Sequence, residues 1–145
     1  MKKTIYGLLL AAVTVAILFL TFQDAPGTVK LSESVRLWFE SFFGIKSSYH
    51  SFRSNAHLVE YFILGVVLSL YGLEAGWRWW MILLVGAGFG LMDEGIKVLL
   101  PTREFDAIDL IKDLVGVTVG VSIVTLIDWR PWNGKRKIEN SHDGP

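Results

Sequence analysis

The chain opens on a run of 19 uncharged residues, Thr4 to Phe22, TIYGLLLAAVTVAILFLTF. At about 1.5 Å per residue a helix of that length matches the ~30 Å hydrocarbon core of a bilayer. The pattern predicts a transmembrane helix over 4–22. Lys2 and Lys3 in front of it would also suit a secretory signal, but the run is long. The following FQDAPG lacks small residues at both cleavage positions, so the helix is expected to be retained. Three further apolar segments follow, at about 55–73, 79–100 and 107–127. Their uncharged parts, Tyr61–Leu73, Trp79–Met92 and Leu114–Ile127, are only 13 or 14 residues long. About 20 Å of helix falls short of a span, so each segment crosses only if its charged end enters the membrane.

Between the first and second segments lies LSESVRLWFESFFG. Leu31, Val35, Trp38, Phe39, Phe42 and Phe43 recur there at helical spacing, with Glu33, Arg36 and Glu40 opposite. Ser32 is placed to cap the start and Gly44 to end the helix. The pattern predicts an amphipathic helix over about 32–43. It lies on the outer leaflet in one reading and packs on the bundle without lipid contact in the other. The expected fold is an all-α integral membrane protein: four transmembrane helices, with this short outer-face helix between the first and second. Residues 1–128 form the membrane domain, and 129–145 a polar cytoplasmic tail.

Orientation follows from Lys and Arg in short flanks. Lys2, Lys3, Arg78, Arg130, Lys135, Arg136 and Lys137 fall on one side of a four-span chain. Trp77, Trp79, Trp80, Trp129 and Trp132 gather at the same interface. That side is expected to be cytoplasmic, with both termini inside and the chain multi-pass in a bacterial plasma membrane. Residues 30–53 and 101–106 are then outside.

Composition adds two exclusions. No cysteine is present, so disulfides and thiolate chemistry are absent. The formal net charge is zero, which argues against a nucleic-acid partner.

Charge is concentrated in one place. From Asp93 to Asp113 there are six acids and three bases within 21 residues of a chain that is 52% apolar. On the second helix Arg53, His57, Glu60 and Tyr61 share a face; on the third come Asp93, Glu94 and Lys97, and on the fourth Asp109 and Asp113. Alternating spans bring all of these to the outer membrane face, with Arg103 in the loop between. A charge at the bilayer centre costs about 2.5–3.5 kcal/mol on the insertion scale, so such residues are candidates for function. The competing reading is plain pairing: Asp93 with Lys97 at i,i+4, and Glu60 with Arg53 or Arg103. Gly86 and Gly90 on the third helix, and Gly116 and Gly120 on the fourth, form small-residue seams expected to face one another and direct the acids inward. One histidine among carboxylates is a weak zinc pattern, so no metal and no cofactor is assigned. No serine or threonine forms a nucleophile motif with His57, so no catalytic residue is assigned either.

Four stretches taken in order resemble the VanZ-like family of small bacterial membrane proteins: RSNAHLVEYFILG (53–65), DEGIK (93–97), PTR (101–103) and DLIKDLVG (109–116). The likeness covers roughly Phe22 to Gly120. Lys97 stands where the family commonly has glutamine, Thr102 where it has glycine, and Asp113 where asparagine is frequent. Lys97 and Asp113 are therefore candidates for a compensating pair. The family is named for a protein associated with low-level resistance to the glycopeptide teicoplanin, so the resemblance implies a cell-envelope role without a defined reaction. Combined with the charged face, it implies a site for an anionic or amphiphilic envelope ligand. A lipid-linked wall precursor, a phospholipid and a lipoglycopeptide are the candidate partners. The expected ligand-binding residues are Arg53, His57, Glu60, Tyr61, Asp93, Glu94, Lys97, Arg103, Asp109 and Asp113, with the cations holding anionic groups. A proton-coupled transporter and a purely structural membrane protein are the other two readings.

Overall fold

Apolar side chains pack the middle of the bundle, while at one end charged side chains point inward and apolar ones outward. In the computed structural model, Asp109 and Asp113 are 8% and 0% exposed, while Ile108 and Ile111 on the same helix are 62% and 59% exposed. The structure describes residues 1–22, 25–44, 48–100 and 105–127; for 25–29, 31, 32, 43, 49–51, 53 and 54 it describes the backbone alone. Among the described residues there are five helices and no strand. They are α1 (Lys2–Phe22), α2 (Ala25–Phe43), α3 (Tyr49–Glu74), α4 (Trp79–Leu99) and α5 (Ala107–Ile127).

Three helices are long and apolar enough to cross a membrane: α1, the Asn55–Glu74 part of α3, and α5. The expected fourth, α4, is not among them; it matches the 21-residue length of α1 and α5 but carries Asp93, Glu94 and Lys97 in its second half. The charged ends resolve as expected for antiparallel neighbours. The end of α1, the start of α3, the end of α4 and the start of α5 meet at one end of the bundle.

Helix ends are set by local chemistry. Gly76 takes φ +79°, and the amides of Gly76 and Trp77 bond back to the Leu73 and Gly72 carbonyls, closing α3 with a paired left-handed cap. The Asp106 side chain accepts the Ile108 amide at 2.8 Å and so caps α5. Gly44, at φ +68°, ends α2 as its position suggested. The start of α2 differs from expectation: the helix begins at Ala25 and Ser32 lies inside it. Pro26 falls in the first turn, where its missing N–H breaks no helical bond.

On α2, Arg36 bridges Glu33 at 2.5 Å and Glu40 at 2.7 Å. Its hydrogen bond to Glu33 holds that carboxyl below the usual range. Val35, Trp38 and Phe42 are exposed, and Trp38 stacks on Phe42 with ring centroids 5.6 Å apart. Phe39, on the other side, meets Phe52 of α3 at 6.1 Å.

The glycine seams do not face each other. A Cβ on Gly116 of α5 would stand 2.6 Å from the Leu58 carbonyl oxygen, and one on Gly120 would stand 2.5 Å from that of Phe62. Both neighbours belong to α3, where a Cβ on Gly65 would in turn stand 2.6 Å from the Val117 carbonyl oxygen. The close backbone approach is therefore α3 against α5, the most extensive contact in the bundle. Gly86 and Gly90 of α4 instead make room for the Val117 and Asp113 side chains of α5. The acids are still directed inward, but by a different pair of helices.

Candidate functional site

Because α3 and α5 touch backbone to backbone, residues one turn beyond the glycines are forced together. His57 lies one residue before Leu58, and Asp113 three before Gly116. His57 Nδ1 is 3.5 Å from Asp113 Oδ1, and Nε2 is 3.7 Å from Asp109 Oδ2. The imidazole thus sits between two carboxylates of one helix face, spaced i,i+4. The longer of these separations is beyond hydrogen-bond range, and the shorter is poorly aligned. His57 Nδ1 and both Asp113 oxygens are buried with no hydrogen-bond partner among the described residues.

From the other side α4 contributes a tighter arrangement. Lys97 Nζ lies 2.9 Å from Asp93 Oδ2 and 2.5 Å from Glu94 Oε1, and all three residues are no more than 3% exposed. The other oxygen of Glu94 accepts the Asp106 amide at 3.0 Å, tying α4 to the start of α5. Asp93 Oδ1 takes a short hydrogen bond from the Thr21 hydroxyl at the end of α1. Tyr61, fully buried, donates to the Phe89 carbonyl oxygen at 3.3 Å. Glu60 is half-buried on the same face of α3 and feels the charges of His57, Asp93, Asp113 and Lys97.

Eight of the ten candidate residues are thereby gathered at one end of the bundle. The side chains of the other two, Arg53 and Arg103, lie outside the described residues. The expected Lys97–Asp113 pair does not form, since Lys97 is taken by its own helix neighbours and Asp113 faces His57. Thr21 was not anticipated, because a threonine closing a long apolar run carries no signal of what it will meet 72 residues later.

A family model described as VanZ/LLP1 matches residues 4–128. The chain belongs to the VanZ/LLP1 family. The match takes in all of α5 and nearly all of α1, more than the stretch that the four motifs cover. No curated protein and no solved structure matches the chain. Within this VanZ/LLP1 chain, 53–65 lies on α3, 93–97 on α4 and 109–116 on α5, so the three helical motifs meet in one cluster.

The cluster divides by chemistry. Lys97, Glu94 and the Asp106 amide form a satisfied, buried pairing that fastens two helices. His57 and Asp113 stand 3.5 Å apart with no hydrogen bond to His57 Nδ1 or to either Asp113 oxygen among the described residues. Among the described residues four acids (Glu60, Asp93, Glu94, Asp113) crowd together near one lysine and one histidine. Such a surplus invites a positive charge or hydrogen-bond donors from outside the set.

Proposed function

We propose that this VanZ/LLP1 protein is a four-span plasma-membrane protein that binds the polar head of an amphiphilic envelope molecule at the charged end of its bundle. The observation that carries the reading is the fully buried Asp113 carboxylate, which has no hydrogen bond among the described residues and only the His57 ring beside it at 3.5 Å. A bundle held only by ion pairs would not strand a carboxylate where its desolvation costs about 1–3 kcal/mol or more. In this reading Glu60, His57 and the α5 acids meet the donor or cationic part of the headgroup. Arg53 and Arg103 meet its anionic part, such as the phosphate of a phospholipid or lipid-linked wall precursor. Lys97 has no such role, because it is already bound twice. An apolar groove of about 380 Å³ between α4 and α5, lined by Trp80, Leu84, Ala87 and Leu114 among others, runs along the lipid face and suits an acyl chain. The exposed Val35, Trp38 and Phe42 would rest α2 in the outer leaflet beside the site.

The observations favouring a structural role instead are the Lys97 pairing on α4 and, if His57 is protonated, its ion pairs with Asp109 and Asp113 between α3 and α5. Glu60→Gln separates the two readings. It should leave the melting temperature in detergent close to that of the parent protein. It should also return glycopeptide susceptibility of a producing strain to that of a strain without the protein. Loss of stability in step with loss of resistance would refute the site. Topology has its own check: a Ser48→Cys variant should react with an impermeant thiol reagent in intact spheroplasts, whereas Ser141→Cys should not. Labelling at Ser141→Cys alone would invert the orientation.

A further inference from the structure

We propose that His57, Asp93 and Asp113 form a binding site for one divalent metal ion of the zinc or manganese type. One donor atom from each of the three lies within 4.8 Å of the others, at the junction of α3, α4 and α5. Proximity of acids alone would say little. The second observation is the one already described: Asp113 is 0% exposed and neither of its oxygens has a partner, nor does His57 Nδ1 across from it.

The geometry of that gap is informative. Two donors each about 2.1 Å from a tetrahedral ion stand about 3.4 Å apart. His57 Nδ1 and Asp113 Oδ1 are 3.5 Å apart, a span suited to a shared ion. The rest of the imidazole is arranged to match. Asp109 Oδ2 lies 3.7 Å from Nε2, outside hydrogen-bond range, and a small approach would let it accept an Nε2–H proton and leave Nδ1 to the ion. A carboxylate behind the far nitrogen is the usual outer support of a metal-bound histidine.

Charge and hardness narrow the class. Two carboxylates neutralise a divalent ion, which suits a buried position. One imidazole with two carboxylates is a nitrogen and oxygen set, matched to Zn²⁺ or Mn²⁺ and poor for soft ions. Asp93 keeps its contacts to Lys97 and Thr21, because a carboxylate offers about four lone-pair sites and those contacts use two. Binding would draw the three donors, now within 4.8 Å of one another, closer together. The remaining coordination position is open to water or to an oxygen of a headgroup, so the ion would present a positive charge where the described cluster is acidic. With the ion in place, His57 and Asp113 are satisfied by it and the headgroup would meet the ion and Glu60 instead, while the ion's own binding needs no headgroup.

The test uses the full chain purified in detergent, stripped with a chelator and titrated with Zn²⁺, then with Mn²⁺ and with Mg²⁺ as the weak control. One ion per chain should bind, and the melting temperature should rise with ion concentration. Asp109→Asn, behind the histidine, should weaken binding about 10–100-fold. His57→Ala and Asp113→Asn should weaken it further. In the stripped state Asp113→Asn should melt above the parent protein, because the substitution removes an uncompensated buried charge. Glu60→Gln should bind the ion normally even where it abolishes the envelope phenotype. Absence of saturable uptake, or equal uptake by Asp113→Asn, would overturn the site. A stripped Asp113→Asn that melts below the parent would also overturn it, because His57 and Asp113 would then be partners through a shared proton.

Discussion

Gly116→Ala is expected to give one of the largest losses of stability of any single-methyl change among the described glycines. The added carbon would stand 2.6 Å from the Leu58 carbonyl oxygen and 2.9 Å from the Phe62 amide nitrogen. Neither neighbour is the movable end of a side chain, so relief requires α3 and α5 to part along their whole contact. Overpacking of a tight core costs about 1–3 kcal/mol when side chains can adjust, and a backbone clash belongs at or above the top of that range. Gly120→Ala should behave alike. Gly88→Ala and Gly95→Ala, where an added Cβ meets nothing within 4 Å, should leave the melting temperature unchanged or slightly raised. Thermal unfolding of the four variants in one detergent checks the contrast. Equal melting temperatures would mean that α3 and α5 do not approach as described.

Lys97→Met is the second large effect, and its origin is electrostatic. Removing the ammonium leaves Asp93 and Glu94 buried side by side with no cation among the described contacts to offset them. Breaking one partner from a buried pair costs about 3–5 kcal/mol. Glu94 also holds the amide of Asp106, the residue that caps α5, so the damage should extend to the start of that helix. The double change Asp93→Asn with Lys97→Met should recover part of the loss, because it removes one of the stranded charges. A melting series on the single and double variants measures the coupling. If Lys97→Met melted with the parent protein, the ammonium would have to be solvated, contrary to its 3% exposure.

These two positions show where the sequence was informative. Helix boundaries followed closely from apolar run length at α4 and α5 and from Gly44 at the end of α2, whereas α2 and α3 begin earlier, at Ala25 and Tyr49, than their apolar patterns suggested. The range 107–127 coincides with α5, and 79–100 differs from α4 by one residue. Local pairings were legible too: Asp93 and Lys97 lie four apart on one helix, and spacing alone suggested their bond. Which helix packs on which was not legible. Small residues at 86, 90, 116 and 120 announce close approach but do not carry the name of the partner, and the partner of the α5 glycines is α3. The same error of partner led to Lys97 being set against Asp113. Once α3 is the neighbour of α5, His57 follows as the group facing Asp109 and Asp113. Thr21 could not be found at all, since its only signal is tertiary.

The central claim is that the charged end of the bundle receives an amphiphile's headgroup and is more than a strut. Native mass spectrometry of the full chain, released from detergent after addition of phosphatidylglycerol, phosphatidylethanolamine or a lipid-linked wall precursor, addresses it directly. The account predicts that one of these stays bound to the parent protein at a stoichiometry of one. It should be lost from Glu60→Gln and from Arg53→Gln, while both variants melt with the parent. Equal retention by all three proteins, or adducts that disappear only as the variants unfold, would contradict it.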